Sequence, residues 1–111
     1  MVTDKLVVLT TCESLDQART LARALVERRL AACVNILPGA TSIYRWHRDG
    51  KDAIEEAPEI LLLIKSRRDV FPQLQAAIAH LHTYEIPEAI ALPITAGSDA
   101  YLNWLDRETA Q

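Results

Sequence analysis

The sequence predicts an α+β fold: a ferredoxin-like βαββαβ sandwich with an extended β-hairpin and a C-terminal helix, forming one domain over residues 1–111. Three observations carry that prediction. Short β-branched runs alternate with two stretches of helical periodicity in the order strand, helix, strand, strand, helix, strand. Asp49-Gly50 lies between two strand-like segments and marks a hairpin. The runs LVVL at 6–9, ILLLI at 60–64 and AIAL at 89–92 lack the polar alternation of a sheet with one wet face. The usual sheet order for such a chain is 4-1-3-2, with both main helices on one face.

Each element has its own signal. Residues 5–11 (KLVVLTT) are short, apolar and β-branched, as a strand requires. From Ser14, a good N-cap, Leu15, Ala18, Leu21, Ala22, Leu25 and Val26 fall on one stripe of a helix, and Arg28 and Arg29 suit the negative end of its dipole. Residues 31–37 return to strand, Pro38-Gly39 kinks the path, and TSIYRW at 41–46 alternates again. The return strand is 59–66. Pro58 is expected to interrupt pairing and leave the outer hairpin an irregular edge. A second helix is expected to open at an Asp69 cap with Pro72 in its first turn, and Phe71, Leu74, Ile78 and Leu81 form its apolar side. Pro87 stops it, 88–94 (EAIALPI) is a strand, and Ser98 caps the short helix DAYLNWLDRE.

Bulk properties exclude several classes. A chain of 111 residues has room for one core. A net charge of −3 argues against nucleic acid, whose phosphates call for a basic face. No apolar run approaches the roughly 20 residues of a membrane span. The N-terminal run is preceded by Asp4 and followed by threonines, which suits a strand rather than a leader, so the expected compartment is the cytoplasm. Cys12 and Cys33 are expected as free thiols at opposite ends of parallel strands.

The uninterrupted apolar runs have a larger consequence. Two helices cover one face of a four-stranded sheet, and the other would expose several hundred Å² of apolar surface. The third helix is too short to cover it, so sheets from several subunits are expected to pack together. The alternative is that the terminal helix and the long hairpin fold across the open face.

Residues 80–88, HLHTYEIPE, crowd polar groups before a strand. In the 4-1-3-2 order the start of strand 4 meets the end of strand 1, which brings 82–88 beside Thr10, Thr11 and Cys12. A thiolate and an imidazole suit copper, or less readily zinc, so Cys12 and His82 are the candidate metal pair. In a continuous helix His80 would point about 200° away from His82. A structural account stands beside this one: a histidine at a helix C-terminus often matches the dipole, and a lone cysteine often only packs. Two ligands without CxxC or HxxxH spacing would hold a metal weakly and exchangeably, or would need a ligand from another subunit.

Catalytic patterns are absent: there is no GxSxG, Walker loop or GxGxxG, and no nucleophile–base–orienter set, so no enzyme is expected. Glu55-Glu56 and Glu85 with Glu88 suit a solvated surface. Lys65 closes an apolar strand, where it could snorkel to water or hold an anion. Trp46 and Trp104 suit packing anchors at a contact between subunits.

Several blocks taken together resemble the CutA family of divalent-cation tolerance proteins: TTC at 10–12, RLAACVNI at 29–36, SIYRW at 42–46, LLIKS at 62–66, YEIPE at 84–88 and LPITAGSDAYLNWL at 92–105. The resemblance covers nearly the whole chain. It implies a homotrimer similar in architecture to the PII signalling proteins, a cytoplasmic or organellar location, tolerance of copper and other divalent metals, and no enzymatic activity. It implies metal binding at Cys12 and His82. Two features depart from the family pattern: Glu13 and Thr83 stand where proline is common, and the hairpin is longer by about two residues.

The sequence thus leaves three functions open. The first is a trimeric copper- or divalent-metal-binding protein with an unknown signalling partner. The second is a PII-like sensor holding an anionic ligand between subunits near Lys65, Tyr84, Glu88 and Trp46. The third is a scaffold whose polar cleft is incidental.

Overall fold

The computed structural model describes residues 3–111. The elements are β1 (Lys5–Cys12), α1 (Leu15–Glu27), β2 (Cys33–Arg48), β3 (Lys51–Arg67), α2 (Phe71–Leu81), β4 (Ile90–Pro93) and α3 (Asp99–Glu108). They form one sheet in the order β2-β3-β1-β4, each neighbour antiparallel, as the element order requires. Cys12 ends β1 opposite Ile60 and Cys33 opens β2 opposite Lys65, so the two free thiols lie at opposite ends of the sheet.

Local chemistry explains the boundaries. Ser14 Oγ accepts the Gln17 N–H at 3.1 Å and starts α1, while Ser98 Oγ accepts the Tyr101 N–H at 3.4 Å and starts α3. Along β1 the side chains of Leu6, Val8, Thr10 and Cys12 alternate onto one face. There Leu6, Val8 and Cys12 join Leu62 and Ile64 of β3 in a core closed by Ala18, Leu21 and Leu25 of α1 and Leu74 and Ile78 of α2.

Pro38-Gly39 kinks the path as expected: it makes a bulge between Leu37 and Ala40 within β2, with Gly39 in the left-handed region that glycine tolerates. Pro58 differs from expectation and does not interrupt the ladder. It pairs opposite Thr41, and the β2–β3 register continues to Arg48↔Lys51. The reason is positional: β1 ends at Cys12↔Ile60, so at Pro58 the strand has one neighbour instead of two, and an edge position tolerates the missing N–H.

Two smaller boundaries also move. Asp69 does not cap α2. Val70, almost fully buried, holds the cap position without a side-chain hydrogen bond, and Asp69 pairs with Arg67. Pro72 sits in the first turn as expected. β4 runs only from Ile90, opposite Leu9, so residues 82–89 cross the end of β1 as irregular chain.

The second face of the sheet is partly roofed. Register places Leu9, Leu63 and Ile90 in one row, Val7 and Leu92 in the next, and Leu37, Leu61 and Thr11 in another. α3 closes one end, where Leu105 is fully buried and Asp106 meets both Lys5 and Arg67. Beyond it Leu37, Ile90 and Leu92 remain 43–51% exposed, and the projecting hairpin leaves Ile43 and Ile54 exposed as well.

The helix-side face is therefore the core of a single copy. Leu62→Ala is expected to lower the unfolding free energy by about 2–5 kcal/mol in a denaturant titration. A loss well under that range would mean that the stabilising burial lies elsewhere.

Candidate functional site

The site lies where the sheet narrows. β1 stops at Cys12, β3 runs on past Ile60, and the 82–89 connector fills the vacated position. His82 ends α2: its own N–H donates to Ile78 O at 2.9 Å, and its backbone then turns extended. That turn aims the imidazole at β1. Nε2 lies 2.7 Å from the Thr11 carbonyl and 3.8 Å from Cys12 Sγ, and Nδ1 accepts the Tyr84 N–H at 3.0 Å. The Tyr84 ring packs on the imidazole with centroids 4.6 Å apart, and its hydroxyl donates to Glu59 Oε2 at 2.5 Å. On the outside, Thr83 Oγ1 donates to Glu13 Oε1 at 3.3 Å.

Beside this chain of contacts opens a pocket of about 700 Å³ at the root of the hairpin. Trp46, Tyr44 and Tyr84 supply its aromatic surface. Its charged lining is Glu13, Glu55, Glu59, Glu85 and Glu88 against Arg48 alone. Neighbouring groups respond to that imbalance. Burial, then the charges of Glu59 and Glu13, push the Cys12 thiol up to about 11. Burial, then the hydrogen bond to Glu59 and nearby negative charge, raise the Tyr84 phenol far above its ordinary value. Burial, then Glu59, raise the Glu88 carboxyl.

Of the residues singled out in the sequence, Cys12 and His82 do meet, and Trp46, Tyr84 and Glu88 share the pocket. His80 is exposed on α2. Lys65 is elsewhere: its ammonium bonds to Asn35 Oδ1, and it sits opposite Val7 and Cys33 near the other end of the sheet. Within one copy Lys65 therefore lies apart from Tyr84, Glu88 and Trp46, because β3 carries it away from the hairpin root. Glu59 was not anticipated. Its signal, a carboxylate one residue before the last β1–β3 pair, becomes visible only once Cys12↔Ile60 is known.

The donor set does not fit a resident metal ion. Among the described residues no three His, Cys, Asp or Glu side chains converge as metal ligands. Both ring nitrogens of His82 are engaged, and burial with the charges of Glu59 and Glu13 disfavours the Cys12 thiolate.

A family model described as "CutA1 divalent ion tolerance protein" matches residues 6–108. The chain is 52% identical over 103 residues to a divalent-cation tolerance protein CutA of Thermus thermophilus, an alignment covering 93% of this chain and 96% of that one. It is 44% identical over 99 residues to Protein CutA of Mus musculus, covering 89% of this chain and 54% of the mouse protein, so it spans about half of that relative. A solved structure of the Thermus thermophilus protein superposes with a TM-score of 0.88 at 51% identity, covering 96% of this chain and 99% of that one.

The raised Glu88 carboxyl has a sign that can be tested. The folded chain holds this proton more tightly than the unfolded chain, so stability is lost as pH rises through the carboxylate range. Glu88→Gln is expected to flatten the loss of melting temperature as pH rises above the ordinary carboxylate value, and an unchanged profile would show that Glu88 sits in ordinary solvent.

Proposed function

We propose a function from one premise: this chain belongs to the CutA1 divalent ion tolerance family. In this reading it serves tolerance of divalent metal ions as a homotrimer, without a catalytic step, and meets cations exchangeably at the hairpin-root pocket. The metal contact thereby moves from Cys12 and His82 to the pocket carboxylates. Copper is then one divalent ion among several, since oxygen donors do not select it as a thiolate would.

The observation that carries the reading is unbalanced negative charge in a concave surface. Among the described residues, no pocket glutamate forms an ion pair with a lysine, arginine or histidine; the ion pairs use Asp4, Asp52, Asp69, Asp106 and Glu108 instead. Glu59 is nine-tenths buried. A cleft of one sign with low-dielectric walls concentrates counter-ions. Because no three donors converge among the described residues of one copy, the ion is held loosely. The same charge opposes a small anionic ligand. The trimer is supported by the open sheet face, where Ile90 and Leu92 stay half exposed beside Leu9 and Leu63.

Two measurements test these proposals. Light scattering is expected to give three times the 12.4 kDa chain mass, and Ile90→Lys with Leu92→Lys to give the single-chain mass; a monomeric wild type would reject the assembly. In a titration with Zn(II) or Cu(II), Glu59→Gln with Glu88→Gln is expected to weaken binding at least about tenfold, or about 1.4 kcal/mol, while Cys12→Ala leaves it unchanged. The opposite pattern would return the metal to the thiol.

A further inference from the structure

We infer that His82 is a positioning residue: a neutral imidazole that fixes the connector to the end of β1 and holds the Tyr84 hydroxyl on Glu59, instead of a metal ligand.

The argument starts from what each partner can do. A backbone carbonyl only accepts, so at 2.7 Å from Thr11 O the Nε2 atom must carry a hydrogen. A backbone N–H only donates, so Nδ1, 3.0 Å from the Tyr84 nitrogen, must present its lone pair. One tautomer satisfies both, and it is uncharged. It leaves no lone pair for a cation: the one at Nδ1 is taken by Tyr84, and Nε2 is protonated. Cys12 Sγ, 3.8 Å from Nε2, lies beside that hydrogen without replacing Thr11 as its acceptor.

The consequence runs outward into the pocket. With its backbone pinned at Nδ1 and its ring packed on the imidazole at a centroid distance of 4.6 Å, Tyr84 has its hydroxyl delivered to Glu59 Oε2. Glu59 Oε1 then has no protein partner among the described residues, and Glu59 lines the pocket. His82 so orients the most buried pocket carboxylate through Tyr84, while making no contact with a pocket ligand itself. Three separate segments, β1, the connector and β3, are tied through this one ring.

The inference takes the pocket from the functional proposal but not its ligand, and it is read on metal-free protein, so the two can fail separately. In ¹⁵N-labelled full-length protein at neutral pH, His82 is expected to show Nε2 protonated and Nδ1 unprotonated, and to keep that pattern after one equivalent of Zn(II). A proton on Nδ1, or a metal-shifted His82 resonance at one equivalent, would overturn the assignment. Amide hydrogen exchange gives the second readout. The Tyr84 N–H, held by His82 Nδ1, is expected to exchange at least about tenfold faster in a folded His82→Ala protein than in wild type. An unchanged Tyr84 exchange rate in that variant would also overturn it.

Discussion

The arrangement depends on a mismatch in strand length: β1 has 8 residues and β3 has 17. From Arg67 back to Ile60, β3 has β1 as a neighbour, and beyond Ile60 it does not. At that step the sheet narrows to the two strands of the hairpin, and a position in the layer is left without a strand. The 82–89 connector fills it with side-chain hydrogen bonds in place of a ladder. Backbone groups at a strand end need partners, and the Thr11 carbonyl finds one in His82. The pocket is the space left between this irregular filling and the hairpin leaving the body of the fold.

The same strand lengths govern the open face. α1 and α2 are both committed to the side of the sheet carrying Val8, Leu62 and Ile64. α3 reaches the other side only at the Lys5–Arg67 end, where Asp106 bridges two cations and Arg67 also donates to Thr109 O at 3.0 Å. A ten-residue helix cannot also extend to Leu37 and Ile90. The acidic pocket and the bare apolar rows thus lie on the same molecule for one reason. Each is a part of the sheet for which the chain supplies no regular element.

What the sequence made legible follows from how local each signal is. The strand order, Ser14 and Ser98 as caps, Pro72 in a first turn and the Asp49-Gly50 turn depend on neighbours in the chain, and all stand in the structure. The meeting of Cys12 with His82 was also legible, because it follows from strand order alone. Pro58 misled because its tolerance depends on where β1 ends, a fact about a different strand. Asp69 misled because the burial of Val70 outweighs a cap hydrogen bond. Lys65 and Tyr84 are grouped by the sequence across a cleft between copies, and within one copy register sets Lys65 near the opposite end of β1 from Cys12.

The resemblance implies proline at positions 13 and 83, and this chain carries neither. Proline at both would stiffen the end of β1 and the exit from α2 by restricting φ. This chain has Glu13 and Thr83, and the two side chains are joined directly, Thr83 Oγ1 donating to Glu13 Oε1 across the gap. One cross-link between the segments stands in for two local restraints. It is exposed and so worth little, on the order of 1 kcal/mol or less. The tight part of the joint is consequently the part-buried His82–Thr11 bond beneath it, and the stiffness that prolines would supply locally rests here on one imidazole and its two backbone partners.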